Sequence, residues 1–168
     1  MAIDALVQPL LALPLFKGLT PLQLTEIVRR AERIIYRPGD VIISEDEPSD
    51  AAIVIVSGNS IRLNDTHDGE LLPEGVMIAE LAMFIEIVHT TTVIAQSQVK
   101  ALRLTRHRMH EVMQADKALA QHFSSCIVTR LKILAQDVKA VDALMEQATV
   151  APLPPQARTN MPVEAHPA

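Results

Sequence analysis

The stretch that decides the fold runs from Tyr36 to Leu63 and reads YRPGDVIISEDEPSDAAIVIVSGNSIRL. Two turns divide it, one at Pro38-Gly39-Asp40 and one at Ser57-Gly58-Asn59. Short runs rich in Val and Ile flank both turns, and these residues favour strands. The stretch therefore predicts four short strands joined by tight connections, a pattern typical of a β-sandwich or jelly roll.

The whole chain divides into four segments. Residues 1–31 are predicted to be helical, with Thr20 as an N-cap, Pro21 at the first helical position and Gln23 completing a capping box. Short strands are predicted to continue through residues 32–105, and helices through 106–148. Residues 149–168 contain five prolines and no periodicity, which predicts a disordered or extended Pro-rich tail.

The composition limits the classes of function. With 49% hydrophobic and 21% charged residues the chain is typical of a globular protein, and its 2% aromatic content disfavours modules that stack nucleic-acid bases. A net charge of −5 gives no general attraction to DNA or to anionic membranes. No apolar run approaches the about 20 residues of a membrane span. The single Cys126 permits no disulfide within the chain. We therefore expect a cytoplasmic protein without direct nucleic-acid contacts.

One local cluster of basic side chains contrasts with the negative net charge. It consists of Arg103, Arg106, His107, Arg108 and His110. A solvated helix start is the preferred interpretation of this cluster. A metal site at His107 and His110 is disfavoured, because no carboxylate or cysteine is expected to join them as a third ligand.

A long helix is predicted downstream of this cluster, and its apolar residues repeat at intervals of four and three. That spacing is typical of the seam of a parallel two-stranded coiled coil, which predicts a homodimer. A single amphipathic helix folded onto its own domain is the alternative, and Leu119 and Phe123 are expected to pack in that way. The predicted dimer interface consists of Ile127, Leu131, Leu134, Val138, Val141 and Met145.

The order of these segments resembles the cyclic nucleotide-binding domain family, specifically the effector domain of the catabolite activator protein. Three stretches carry the resemblance: LFKGLTPLQLTEIV (15–28), the 36–63 stretch, and LLPEGVMIAELAM (71–83). The resemblance implies a mainly β fold with flanking helices: a β-roll or jelly roll, N-terminal helices and a long C-terminal helix. It also implies a bacterial regulator whose ligand is cAMP or cGMP.

The family's phosphate-binding cassette can be carried over residue by residue. A Gly-Glu-Leu-Ala run opens a short helix in the family, and an Arg that grips the cyclic phosphate follows nine residues after the Glu. Here Glu80 takes the position that binds the ribose, whereas His89 replaces the Arg and Ala79 replaces the Gly. Asp46 and Ser49 replace two further glycines. The implied ligand-binding residues are Ala79, Glu80, Leu81, Ala82, His89, Thr90 and Thr91.

The replacement at His89 weakens the anion-binding chemistry of the cassette. A guanidinium is a permanent cation with a two-pronged fork, whereas a neutral imidazole offers one donor and no charge. Losing one such contact to a buried phosphate costs on the order of 2–5 kcal/mol. A Glu80–His89 pair that closes the pocket is one alternative.

Two functions remain open at this point. One is a non-enzymatic regulatory or adaptor protein with weak or absent cyclic nucleotide binding, a self-associating long helix and a Pro-rich tail that contacts a larger assembly. The other is a cAMP- or cGMP-sensing domain that regulates a separate partner. An enzyme is disfavoured because no Walker lysine or nucleophile elbow is present. A DNA-binding activator is disfavoured because too little chain follows the long helix.

Overall fold

The computed structural model describes residues 3–63 and 69–149, with side chains given for all of these except 3–5, 134, 143 and 146–149. Helices stand at both ends of the described chain. A 3-10 turn at Pro14–Phe16 follows the first helix, and a second 3-10 turn at Glu80–Met83 interrupts the strands. The α-helices are α1 (Ile3–Leu11), α2 (Pro21–Arg30), α3 (Arg106–Ala115) and α4 (Lys117–Thr149).

Helix α2 begins where the sequence predicts. The backbone N–H of Gln23 donates to the Thr20 hydroxyl (3.3 Å), and the backbone N–H of Thr20 donates to the Gln23 side-chain oxygen (3.0 Å). These two bonds form the predicted capping box and satisfy donors that a helix start leaves without partners. Leu24, Ile27 and Val28 then recur on one face and are almost fully buried. The predicted helical entry segment is thus present.

Between α2 and α3 the described residues form short antiparallel strands. They are β1 (Glu32–Tyr36), β2 (Val41–Ile43), β3 (Pro48–Ser49), β4 (Ala51–Ser57), β5 (Ser60–Arg62), β6 (Glu70–Leu72), β7 (Met77–Ile78), β8 (Ile87–Val88), β9 (Val93–Ala95) and β10 (Val99–Thr105). Two four-stranded sheets have the orders β1-β10-β4-β7 and β2-β9-β5-β6, and β3 pairs with β8. The predicted β-roll with flanking helices is confirmed by this arrangement.

The first six residues of β4, AAIVIV (51–56), are all apolar. Ile53 and Ile55 face a core cluster built from strand residues, whereas Ala52 and Val54 face a second cluster shared with the helices. Successive side chains of a strand point to opposite faces, so a strand covered on both faces needs apolar residues throughout. The AAIVIV run therefore places β4 between the roll interior and the helices.

The long helix α4 divides between two compact units. The first unit ends at Cys126 and the second begins at Ile127. In the first unit Leu119 and Phe123 are completely buried, as predicted for the start of this helix. In the second unit the predicted seam residues Leu131, Val138 and Val141 are exposed.

The Pro-rich tail lies outside the described residues from position 150 onward. Among the described helices, none has both the length and the apolar character required to cross a membrane.

Candidate functional site

The candidate site begins at a left-handed backbone position between β7 and the 3-10 helix Glu80–Met83. Ala79 caps that helix with φ 54° and ψ 43°, a conformation that costs an L-residue roughly 1–2 kcal/mol. Its carbonyl accepts a hydrogen bond from the Ala82 N–H (2.9 Å). Asp46, which stands at a second glycine position of the family, also has a positive φ of 62°. Both residues thus adopt a left-handed conformation that glycine favours, at positions where the resemblance implies glycine.

The 3-10 helix anchors the cassette to the core. Ala82 and Met83 are fully buried, and Met83 belongs to the helix-side cluster. Glu80 and Leu81 are only half-buried. Because Ala82 and Met83 are packed in the core, they hold the turn in place. The Glu80 backbone therefore lies at the start of the cassette, where the resemblance places it.

His89 follows β8 and lies opposite the loop before β3. Its backbone N–H donates to the Glu47 carbonyl (3.0 Å), and its own carbonyl accepts from the Asp46 N–H (2.9 Å). The side chain of His89 is only 8% exposed, while Thr90 is exposed and Thr91 is half-buried. Burial lowers the pKa of His89 below its usual value, and the nearby Glu47 carboxylate opposes this shift only in part. The lowered pKa favours the neutral imidazole.

A polar cavity of about 160 Å³ lies against His89. Ligand pockets usually occupy about 300–1,000 Å³, so this cavity can take a small group but not a whole nucleotide. None of the described residues from Ala79 to Ala82 lines it, so of the predicted ligand-binding residues it contains only His89. The lining residues are Tyr36, Ile42, Ile43, Ser44, Glu47, Pro48, Ser49, Asp50, Ala51, Ile53, His89 and Arg103.

Arg103 supplies a positive charge to the lining of this cavity. One guanidinium nitrogen donates to Glu32 (2.7 Å) and the other to Asp50 (2.6 Å). Burial alone would lower the pKa of Arg103, but the two carboxylates outweigh burial and raise this pKa. Arg103 therefore stays charged and links β1, β10 and the residue before β4.

Arg103 lies in a strand, as predicted for residues 32–105, whereas its grouping with the bases of a solvated helix start is wrong. Arg103 belongs to β10, where it pairs directly with Glu32 of β1. The helix begins only at Arg106, after the cap Thr105. Sequence alone missed Arg103 because the partner that identifies its role lies 71 positions away. The signal in the sequence was the polar Arg103 between two apolar residues of VKALRLT, because successive side chains of a strand point to opposite faces. In the structure Leu102 and Leu104 are buried on either side of Arg103.

Side chains are described for five of the six residues of the predicted dimer interface. Leu131, Val138, Val141 and Met145 are 52–64% exposed, and Ile127 is half-buried. The side chain of Leu134 lies outside the described residues.

No metal site is indicated in the described part of the chain, where no group of three potential ligands was found. His107 instead lies 3.3 Å from the Glu111 carboxylate one helical turn away.

The chain belongs to the cyclic nucleotide-binding domain family, whose model matches residues 33–116, half of its length. The cAMP-dependent protein kinase regulatory subunit of Hypocrea atroviridis is 27% identical over 100 residues, which is 60% of this chain and 22% of that protein. This chain therefore matches about a fifth of that relative. The resemblance inferred from the sequence is confirmed.

Solved structures show the same fold. The N-terminal domain of a transcriptional regulator from Streptomyces coelicolor A3(2) has a TM-score of 0.70 at 21% identity, over 77% of this chain and 94% of that one. The Thermus thermophilus Catabolite Activator Protein has a TM-score of 0.61 at 18% identity, over 77% of this chain and 63% of that one. These likenesses confirm the fold class.

Proposed function

We propose that this chain is a non-enzymatic regulatory or adaptor protein whose cyclic nucleotide-binding domain binds cyclic nucleotides weakly or not at all. The observation that carries the proposal is the buried imidazole of His89, whose pKa burial lowers, at the position that the resemblance assigns to the family's phosphate-binding Arg. A neutral side chain with a single donor cannot replace a bidentate cation at a phosphate. The expected loss of on the order of 2–5 kcal/mol corresponds to several decades of affinity.

The backbone of the cassette supports a second candidate, a cAMP- or cGMP-sensing domain that regulates a separate partner. Ala79 and Asp46 keep left-handed conformations although neither is glycine. Strained positions of this kind persist where the surrounding structure determines them, and they concentrate at functional sites. In this candidate Glu80 binds the ribose, while Thr90 and Thr91 supply hydroxyls beside the phosphate.

Self-association through the second half of α4 is the second element of the proposal. Leu131, Val138, Val141 and Met145 are exposed on a helix that reaches Thr149. Exposed apolar residues that repeat at coiled-coil spacing are stabilised by a second helix that buries them. A homodimer through Ile127, Leu131, Leu134, Val138, Val141 and Met145 meets this requirement, and the Pro-rich segment 149–168 then extends towards a larger assembly.

The names of the relatives agree with a regulatory role. One is a kinase regulatory subunit and another is part of a transcriptional regulator. This chain matches only about a fifth of the kinase subunit, so the partner of that subunit is not carried over to it.

Calorimetric titration of the full chain with cAMP and with cGMP, at about pH 6 and about pH 8, tests the proposal. We expect dissociation constants no tighter than millimolar for both nucleotides at the higher pH. Micromolar binding at that pH would reject the proposed function in favour of the sensing domain.

A further inference from the structure

The cavity beside His89 brings together an imidazole and a guanidinium that come from distant parts of the chain. We propose that this cavity binds a small oxyanion, and that Arg103, not His89, provides the main charged contact. The proposal goes beyond the function proposed above, because it holds whether or not a cyclic nucleotide binds.

The first step concerns the side chain of His89. His89 is only 8% exposed and lines the cavity, and its ring nitrogens, which are not among the fully buried partnerless atoms of the described residues, keep some access to solvent. The ring thus has one N–H available for a group that enters the cavity. The volume of about 160 Å³ suits an anion the size of phosphate or a carboxylate.

The second step concerns the exchange of partners at Arg103. Its fork is held by Glu32 and Asp50, whose side chains are 52% and 61% exposed. Ion pairs with such exposed carboxylates contribute little, since water solvates the carboxylate almost as well. An entering oxyanion can therefore take the place of Asp50 on the guanidinium, while Asp50 turns to solvent. The charge next to Arg103 is unchanged by this exchange, and no unpaired charge becomes buried.

The remaining charges around His89 determine how affinity depends on pH. Glu47 and Asp50 also line the cavity and oppose an anion, whereas Tyr36 adds a hydroxyl that stays neutral because burial raises its pKa. Burial holds the pKa of His89 below its usual value. Protonation of His89 adds a positive charge only as the pH falls through this lowered pKa, so oxyanion affinity rises over that acidic range.

The third step connects the cavity to the helices. The backbone carbonyl of Asp50 accepts the N–H of Arg106, the first residue of α3, at 2.6 Å. Any change at the Asp50 side chain therefore occurs directly beside the start of α3. An oxyanion in the cavity would act on the junction between the β-roll and the helices that follow it.

The test is an NMR titration of the full chain with inorganic phosphate and, separately, with cAMP, at about pH 6 and about pH 8. Arg103→Lys keeps the charge but loses the fork, and is expected to weaken phosphate binding about tenfold or more. Asp50→Asn removes the competing carboxylate but keeps the backbone carbonyl, and is expected to tighten binding about two- to fivefold. Glu70→Gln removes the same charge from an ion pair with Arg62 outside the cavity and is expected to change nothing.

Two results would overturn the proposal: no phosphate-induced shifts in either the wild type or Asp50→Asn at millimolar phosphate, or equal affinities in all variants. Since Asp50→Asn predicts a gain, instability of Arg103→Lys does not remove the test. Binding of phosphate that depends on Arg103, without binding of cAMP, supports the oxyanion site and also the weak nucleotide binding proposed above. Binding of cAMP that is indifferent to Arg103, without binding of phosphate, rejects the oxyanion site while supporting the sensing domain.

Discussion

The ring of Phe84, at the end of the cassette helix, lies 5.1 Å from the ring of Phe123 on α4. Phe16, from the 3-10 turn after α1, meets the same Phe123 edge-on at 5.9 Å. Phe123 is completely buried. Three of the few aromatic residues in the chain thus converge where the cassette, the N-terminal helices and α4 meet.

Phe123→Ala should lower the free energy of unfolding by about 3–5 kcal/mol, because it leaves a cavity among these contacts and removes two aromatic pairs. Chemical denaturation monitored by circular dichroism measures the change. Gln121→Ala, at an exposed position of the same helix, is the matched control and should have little effect. A loss below about 1 kcal/mol for Phe123→Ala would show that this contact does not hold α4 to the domain.

Ala79→Gly should raise the free energy of unfolding by about 1 kcal/mol. Glycine adopts the left-handed conformation of this position without strain, although it gains entropy in the unfolded state. Ala118→Gly, at an exposed position in the first turn of α4, is the control and should not raise stability. If both variants lose stability equally, Ala79 is not strained.

His89→Arg should strengthen cyclic nucleotide binding by several decades if the cassette still holds its ligand-binding form, because it restores the forked cation. Calorimetry with cAMP provides the measurement. His110→Arg adds the same charge on an exposed face of α3 and should leave affinity unchanged. An unchanged affinity in His89→Arg would mean that the cassette no longer accepts a nucleotide.

Val138→Asp should shift the chain towards monomer, because it puts a charge into the predicted seam. Light scattering after size-exclusion chromatography gives the mass in solution. Gln136→Asp introduces the same charge two residues away, outside the seam, and should leave self-association intact. A monomeric wild type would contradict the proposed homodimer directly.

Stability should fall as the solution becomes acidic. Because burial lowers the pKa of His89 in the folded state, the unfolded chain binds the proton more readily. The contribution of neutral His89 to stability is complete above about pH 6.5 and is lost as the pH falls through the lowered pKa. Denaturation at a series of pH values should show this slope, and His89→Gln should reduce it. An identical slope in that variant would assign the loss to other groups.

The sequence by itself determined the local elements and the family. The capping box at Thr20 and Gln23, the turn at Gly39 and the apolar β4 run follow from side-chain and backbone preferences that act within a few residues. The burial of Leu119 and Phe123 was also predictable, because helical spacing places them on one face. The resemblance places His89 where the family has an Arg, and the weak binding of a cyclic phosphate that this predicts stays a prediction.

Only the tertiary structure decided which residues share the cavity with His89. The sequence predicts a strand at Arg103, but only strand pairing places it opposite Glu32 and within reach of Asp50. The left-handed backbone at Ala79 and Asp46 was equally invisible, since local preference opposes it in non-glycine residues. The physical reason is the same in both cases: long-range packing and ion pairing override local preferences, and they depend on partners that no short stretch of sequence identifies.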